Sequence, residues 1–449
     1  MANTFDPRTY KSGRPATNRL NTAKGVYGST KAGDFLSDVI AGRDSLDVIV
    51  VGDSNTGFSS TGAAAGWVYG WEYWLMGKGA KPYATAVYPC AGASATNTIE
   101  GKRSPLGIDA YQNRSNGQSG GTTFVTLGSA SGITSITNFM NSGSGGFRPH
   151  SVGVDWAYTA SGTNQQDSLY IEIGANSVLG VKNSFVYRTV FATFPTGSGS
   201  FKQIAHQNGA SPIATGTRVN TNYGSYGYDV ASMTVPADSN RTGLIRFCRA
   251  GGNYTALDNG IYGPCGFLLE SIYTPRKGFA VTSMSYYGGA TTTQIKDGIV
   301  NSGETITTYL KEMRLRQIAA GGSGRVLVFI HSGANDGAGI TSWTASTALT
   351  IQAFQNKWAQ LNFPQSDLCF VAMVSHPNAE PDGMLSARVA SKTVTASIAY
   401  DNVTTLYFNE IGLDYSGLTG RYDSGGTAHL LPAGYELCAD IAFSQLVAT

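Results

Sequence analysis

The sequence predicts an α/β protein: a parallel sheet with helices on both faces, interrupted by an inserted β-sandwich or jelly-roll module. Three observations predict it. Short, β-branched apolar runs such as Leu46–Val51 (LDVIVV) and Val326–Ile330 (VLVFI) read as buried parallel strands, because a strand covered on both faces needs no polar side. In the parts of the chain holding these runs, strands alternate with helical segments, as in a sheet built from crossover units. Between Pro82 and Tyr273 the pattern changes to short alternating runs separated by Gly, Ser and Asn clusters, which suits antiparallel β structure.

Residues 1–44 read as an N-terminal arm, with a short helix near Asp34–Ala41. Such an arm suits docking on a neighbouring subunit, or it is a loose terminus. Residues 45–81 hold the Leu46–Val51 strand and an aromatic-rich helix over Ala63–Lys78. The inserted module spans 82–277, with strand-like runs at Ser151–Tyr158, Ser168–Ile173, Ser184–Phe194 and Gly243–Cys248. Gly117–Gly121 and Ser142–Gly146 read as loops. Residues 278–449 return to the α/β pattern. Strands are predicted at Gly278–Tyr287, Val326–Ile330, Cys369–Val374 and Val403–Phe408. Helices are predicted at Glu304–Ala320, Thr344–Leu361 and Pro432–Leu446, with Val394–Asn402 helical or mixed. Glu304–Ala320 reads as the clearest amphipathic helix of the chain.

At 449 residues, two domains and an arm are the natural expectation. Only 13% of residues are charged and 57 are Gly, the opposite of a charge-rich disordered chain. A net charge of +2 gives no strong pull towards nucleic acid or anionic membrane. Cys90, Cys248, Cys265, Cys369 and Cys438 show no CxxC spacing and read as small buried thiols, with a Cys248–Cys265 pair as the alternative. Met1–Leu20 has no apolar core of a secretory signal. No apolar run approaches the ~20 residues that span a bilayer.

Sites in open α/β sheets lie at the carboxyl ends of strands. After Val51 comes Gly52-Asp53-Ser54-Asn55. A Ser on a tight Gly turn there can present its hydroxyl at the sheet edge; the plainer reading is a βα loop whose Ser or Asn caps a helix. After Ile330 comes His331-Ser332-Gly333-Ala334-Asn335-Asp336-Gly337. The Asn335 amide can face a developing oxyanion, although Asn-Asp-Gly is also an ordinary turn. Near the C-terminus, Asp423 precedes His429, and Pro432, Gly434 and Tyr435 follow. Carboxylate, imidazole and hydroxyl in line would let the ring take the serine proton; the plainer reading is a loop His ahead of a helix.

Taken together and in this order, the three segments resemble the SGNH hydrolases, also called GDSL-type esterases. The resemblance covers residues 45–80 and 278–449. It implies a flavodoxin-like three-layer fold, with Ser54 as nucleophile and His429 as base. It also implies an oxyanion hole formed by the backbone N–H of Ser54, a glycine N–H and the Asn335 side chain. Gly289, in Tyr287-Gly288-Gly289-Ala290, fits the family's order for that glycine, and Gly92 is the rival. The chain departs from the family at one point. An Asp is expected three residues before the His, where Gly426 stands. Asp423 then completes the triad if the Gly-Gly segment loops out; otherwise a Ser-His dyad operates.

The family includes carbohydrate esterases with β-rich modules, so the resemblance implies a serine esterase removing O-acyl groups, O-acetyl in the first instance, from a glycan. The alternatives are a structural or glycan-binding virion protein with an inactive fold, and an O-acetyltransferase using the same triad. Expected partners are a polysaccharide substrate, virion subunits through the N-terminal arm, and further copies of the chain. Neither nucleic acid nor membrane is expected. A virion or extracellular setting is expected, with a cytoplasmic one as the alternative. No cofactor or metal is expected, since no two His are spaced as a metal pair. His150, His206, His331 and His376 read as structural or exposed. Trp67, Trp71, Tyr73 and Trp74 recur at helical spacing and read as core. Tyr187, Tyr223, Tyr226 and Tyr228 suit either sugar stacking or sandwich packing.

Overall fold

The computed structural model describes residues 25–53, 55, 66–87, 108–113, 169–193, 200–207, 212–225, 227–250, 267–285, 291–302, 304–333, 336, 341–374, 402–407 and 430–447. Five parallel strands form its central sheet: β2 (Leu46–Gly52), β13 (Phe279–Ser285), β14 (Val326–Ser332), β15 (Leu368–Val374) and β16 (Val403–Tyr407). A short strand, β1 (Val26–Gly28), closes one edge antiparallel to β16. The sheet order is β1-β16-β15-β14-β2-β13. Taken in chain order, the five parallel strands therefore lie 2-1-3-4-5, the flavodoxin-like arrangement.

Alternation along these strands builds two cores. Val48 and Val50 of β2, Leu327 and Phe329 of β14, and Cys369 and Val371 of β15 face α1 (Lys31–Ile40), α2 (Gly66–Gly77) and α6 (Pro432–Val447). Ile49, Val51, Val328, Ile330 and Phe370 face α3 (Thr292–Val300), α4 (Glu304–Ala319) and α5 (Thr341–Gln360). This double burial is why the strands carry continuous apolar runs. Trp67, Trp71 and Trp74 are fully buried, and Trp71 stacks on Phe443 of α6 with ring centroids 3.7 Å apart. They are core residues. Cys369 and Cys438 are buried free thiols; Cys90 and Cys265 lie outside the described residues.

The connection from α2 to β13 carries two antiparallel sheets. One has the order β10 (Gly227–Val235), β6 (Phe185–Thr193), β12 (Phe267–Tyr273), β3 (Ala84–Val87). The other has the order β4 (Ile108–Asn113), β5 (Leu169–Gly174), β11 (Leu244–Ala250), β7 (Ser200–Gln207), β8 (Pro212–Thr215), with β9 (Val219–Asn220) beside β7. Phe185 and Tyr187 meet Phe247 of the second sheet at 5.3 and 5.8 Å, and Phe191 meets Phe201 at 5.2 Å. These contacts are β-sandwich packing. Tyr187 belongs to this core, Tyr223 is exposed, and Tyr226 lies outside the described residues. The predicted Ser151–Tyr158 strand also lies outside them.

One buried polar side chain ties the two sheets together. The Gln203 amide of β7 donates to Tyr187 O at 3.2 Å, Thr189 Oγ1 at 2.9 Å and Ala231 O at 3.2 Å on the other sheet. Gln203→Ala leaves those acceptors without this donor and is expected to cost about 1–3 kcal/mol, measurable by urea unfolding.

The sandwich is fixed to the α/β layers. Its two connecting segments run side by side: Phe279 N–H donates to Lys81 O at 2.9 Å, and Thr274 N–H donates to Tyr83 O at 2.8 Å. Gly278 allows this approach, because a Cβ there would sit 1.9 Å from Lys81 O. Arg188 on the outer face of β6 pairs with Glu312 of α4 at 2.5 Å.

Three elements differ from the sequence reading. The helix expected near Asp34–Ala41 is α1, and residues 25–44, assigned there to an arm, carry it together with β1, both built into the sheet domain. A three-residue strand leaves no period to detect. Helix α3 was not anticipated, although its capping box of Thr291 and Gln294 was a usable signal. Helix α4 does not divide into a wet polar and a dry apolar face. Glu312, Arg314, Arg316 and Gln317 are buried while Leu315 and Ile318 are exposed. The polar side lies against the sandwich and the start of β2, where its charges are paired. The Val394–Asn402 prediction falls outside the described residues except for Asn402.

Candidate active site

Strands β2 and β14 are neighbours, and their register pairs Ile330 with Val51 and His331 with Gly52, so the two end level. From there the chain leaves β2 for α2 on one face and β14 for α5 on the other. This is the topological switch point, where open α/β sheets form their crevice. Asp53 and Asn55 follow β2; Gly333 and Asp336 follow β14.

Ser54, His429, Asp423, Asn335, Gly289 and its rival Gly92 all lie outside the described residues. What is described is the framework on either side of them. The Asp53 carboxylate accepts the Asn55 N–H at 2.9 Å. Asn55 O accepts the N–H of Trp67 at 2.9 Å, at the start of α2. Asn55 Oδ1 accepts the hydroxyl of Tyr435 at 3.2 Å. Asp53, Asn55 and Tyr435 are all fully buried. The N–H of Tyr435 donates to Leu431 O at 3.1 Å at the start of α6.

On the β14 side, Gly333 has φ +113°, a conformation that favours glycine. Gly333 O accepts the N–H of Asp336 at 3.2 Å. Both oxygens of Asp336 accept the Thr292 N–H at 3.1 Å, and the Thr292 hydroxyl donates at 2.6 Å. Asp336 is thereby tied to the start of α3. A carboxylate there also complements the N-terminal end of the helix dipole. Trp343 Nε1 donates to Ser332 Oγ at 3.1 Å and steadies the end of β14.

His331 is buried against Trp67, with ring centroids 5.3 Å apart, and against Phe329. It is a packed side chain beneath the switch point. His206 is buried in β7, within the sandwich, and His150 and His376 lie outside the described residues. The sequence reading passed over Asp336 and Tyr435. Both stood in its motifs, as a turn residue and a helix residue, and their partners lie 44 and 380 positions away.

Burial pushes the Asp53 carboxyl up to about 7; the Asp336 charge adds to this and the hydrogen bond from the Asn55 N–H opposes it. The folded state then holds a proton that the unfolded state, with its ordinary value of 3.8, has released. Stability therefore falls as pH rises from about 4 to about 7. Asp53→Asn is expected to flatten this part of the profile of melting temperature against pH, and an unchanged slope would show that Asp53 does not titrate in this window.

No protein-family model matches the chain, and no curated protein sequence matches it. Among solved structures, an acetyl xylan esterase (Est2A) from the rumen bacterium Butyrivibrio proteoclasticus is 9% identical. It covers 65% of this chain and 96% of that one, with a TM-score of 0.25. The CBM22-2 xylan-binding domain of Paenibacillus barcinonensis Xyn10C is 15% identical, covers 30% of this chain and 96% of that one, and has a TM-score of 0.17. The BiXyn10A CBM1 apo structure is 12% identical, covers 26% and 70%, and has a TM-score of 0.17. Likeness of this degree identifies neither a fold family nor an activity.

Proposed function

We propose that the chain is a serine ester hydrolase of the SGNH type acting on O-acyl, chiefly O-acetyl, groups of a glycan. One observation carries the reading. The residues flanking Ser54, Asn335 and His429 in sequence converge at the switch point of a 2-1-3-4-5 sheet, joined there by Asn55–Tyr435 and, for Asp336, by its anchor on Thr292 at the start of α3. In this reading Ser54 attacks the ester carbonyl as His429 takes its proton. Asp423 orients the imidazole and stabilises its cation. The N–H groups of Ser54 and Gly289 and the Asn335 amide receive the oxyanion. The alcohol leaves with the proton from His429, and water then releases the acid by the same route in reverse. The glycan assignment draws its support from the large weakly charged β module seated on the hydrolase layers.

The test is acetate release from an acetylated polysaccharide and from 4-nitrophenyl acetate, with and without an added sugar acceptor. Free acetate in the absence of acceptor supports the hydrolase. Acyl transfer that requires the acceptor would make the chain a transferase. A folded protein inert on both substrates would overturn the reading.

A further inference from the structure

We propose that Tyr223 is a glycan-contact residue: a sugar ring of the polysaccharide stacks on it, at the rim of the sandwich that lies at the same end of the molecule as the candidate site. The inference rests on the glycan as substrate and extends that reading to a contact outside the crevice. Among the side chains the structure describes, Tyr223 is the one exposed aromatic, at 52%. It stands in the loop between β9 and β10, and Asn222, Gly224 and Ser225 beside it are exposed as well.

The loop holds the ring in place. Asn222 N–H donates to Asn220 Oδ1 at 3.0 Å, and Gly224 N–H donates to Asn222 Oδ1 at 3.4 Å. Gly224 turns the chain at φ +74°. The Thr193 hydroxyl, at the end of β6, donates to Ser225 O at 3.2 Å. The Tyr223 ring is braced on one side by buried Phe191, with centroids 6.2 Å apart. A ring fixed in this way offers contact area at little cost in conformational entropy. Its surroundings select the ligand. Residues 215–229 carry one cation, Arg218, and one anion, Asp229, among Thr, Asn, Ser, Gly, Val and Tyr. A charge-balanced rim of this kind offers little to a nucleic acid or an anionic membrane. A sugar fits it: the C–H face packs on an aromatic ring, and the hydroxyls pair with neutral amides and hydroxyls.

The strand directions place this rim at the site end. Pro82 pairs in parallel with Phe279 at the start of β13, and β3, just beyond, pairs antiparallel with β12. Strand β12 therefore runs opposite to β13. Its Tyr273 end, opposite Val186, lies by the start of the parallel strands. Its Phe267 end, opposite Phe191, points to where β13 and β2 finish at Ser285 and Gly52. Val190 and Leu269 accordingly share a core with Val51 and Met284, and Tyr228 packs against it. A polysaccharide stacked on Tyr223 thus lies at the end of the molecule that holds the switch point. 4-nitrophenyl acetate carries no sugar to stack.

Tyr223→Ala deletes the ring and Tyr223→Phe keeps it. Binding is read by retardation in gels containing xylan, glucomannan or dextran, and turnover on the O-acetylated forms of the same three. Tyr223→Ala is expected to weaken binding and raise KM by about 10-fold each, the scale of truncating an anchoring aromatic. Its kcat, its hydrolysis of 4-nitrophenyl acetate and its melting temperature should match wild type, and Tyr223→Phe should match wild type throughout. Equal affinity and KM in Tyr223→Ala and wild type would overturn the inference. So would equal losses in Tyr223→Ala and Tyr223→Phe, or a wild-type protein retarded by none of the three gels. In each case, wild-type hydrolysis of 4-nitrophenyl acetate would leave the ester hydrolase standing. Retardation that Tyr223→Ala abolishes, in a protein that hydrolyses no ester, would keep the glycan contact and overturn the hydrolase instead.

Discussion

Ser54→Ala is expected to lower ester turnover by about 10⁶-fold, the scale seen when a triad nucleophile is removed. The reason is chemical. Alanine offers no oxygen to form the acyl-enzyme, so the two-step route closes and only the polar environment of the site remains to assist water. His429→Ala should fall to a similar level, because an un-ionised serine hydroxyl without a base is a poor nucleophile. The double variant should be no worse than either single one, since the two residues act as one unit. Acetate release from the polysaccharide and melting temperature should be measured on the same samples. An unchanged melting point with turnover at background would assign the loss to chemistry. Substantial hydrolysis remaining in Ser54→Ala would remove Ser54 from the mechanism.

Asp47→Ala is expected to cost about 3–5 kcal/mol of folding stability, because it leaves a buried guanidinium without its counter-charge. Asp47 lies at the start of β2 and is completely buried. Its carboxylate is bound by the guanidinium of Arg316, by the Tyr83 hydroxyl at 2.7 Å and by Gln317 Nε2 at 3.2 Å. These partners come from α4 and from the segment leading into the sandwich, so one carboxylate joins sheet, helix and module. Replacing both charges by apolar residues, Asp47→Leu with Arg316→Met, should recover much of the loss. Urea and thermal unfolding measure both variants. Catalysis per folded molecule should survive. Asp47 lies five residues before Gly52 along the strand, about 17 Å from the proposed site at strand rise. A single variant with unaltered stability would show that the network contributes little.

The central strands are legible in the sequence itself. LDVIVV and VLVFI lie between two helical layers, and a strand that must be apolar on both sides announces itself in a short run. The sandwich strands from Phe185 and Leu244 were legible as short β-branched and aromatic runs between Gly, Ser and Asn clusters. Helix α4 shows where that logic stops. Its buried arginines look like a solvent face in sequence, and only the positions of Asp47 and Asp367 reveal that they are paired inside. The same holds at the candidate site. Ser54, Asn335 and His429 could be singled out by residue type and by what precedes them. Asp336 and Tyr435 could not, because their roles are defined by partners elsewhere in the chain.

Local pattern thus established the α/β class, the antiparallel insertion and the segments from which a site could be drawn. The order 2-1-3-4-5, and with it the meeting of the loops after β2 and β14, came from the folded chain. The physical reason is that periodicity records how each element is buried, one segment at a time. Which strands become neighbours depends on the packing of surfaces hundreds of residues apart, and that leaves no mark on any one of them.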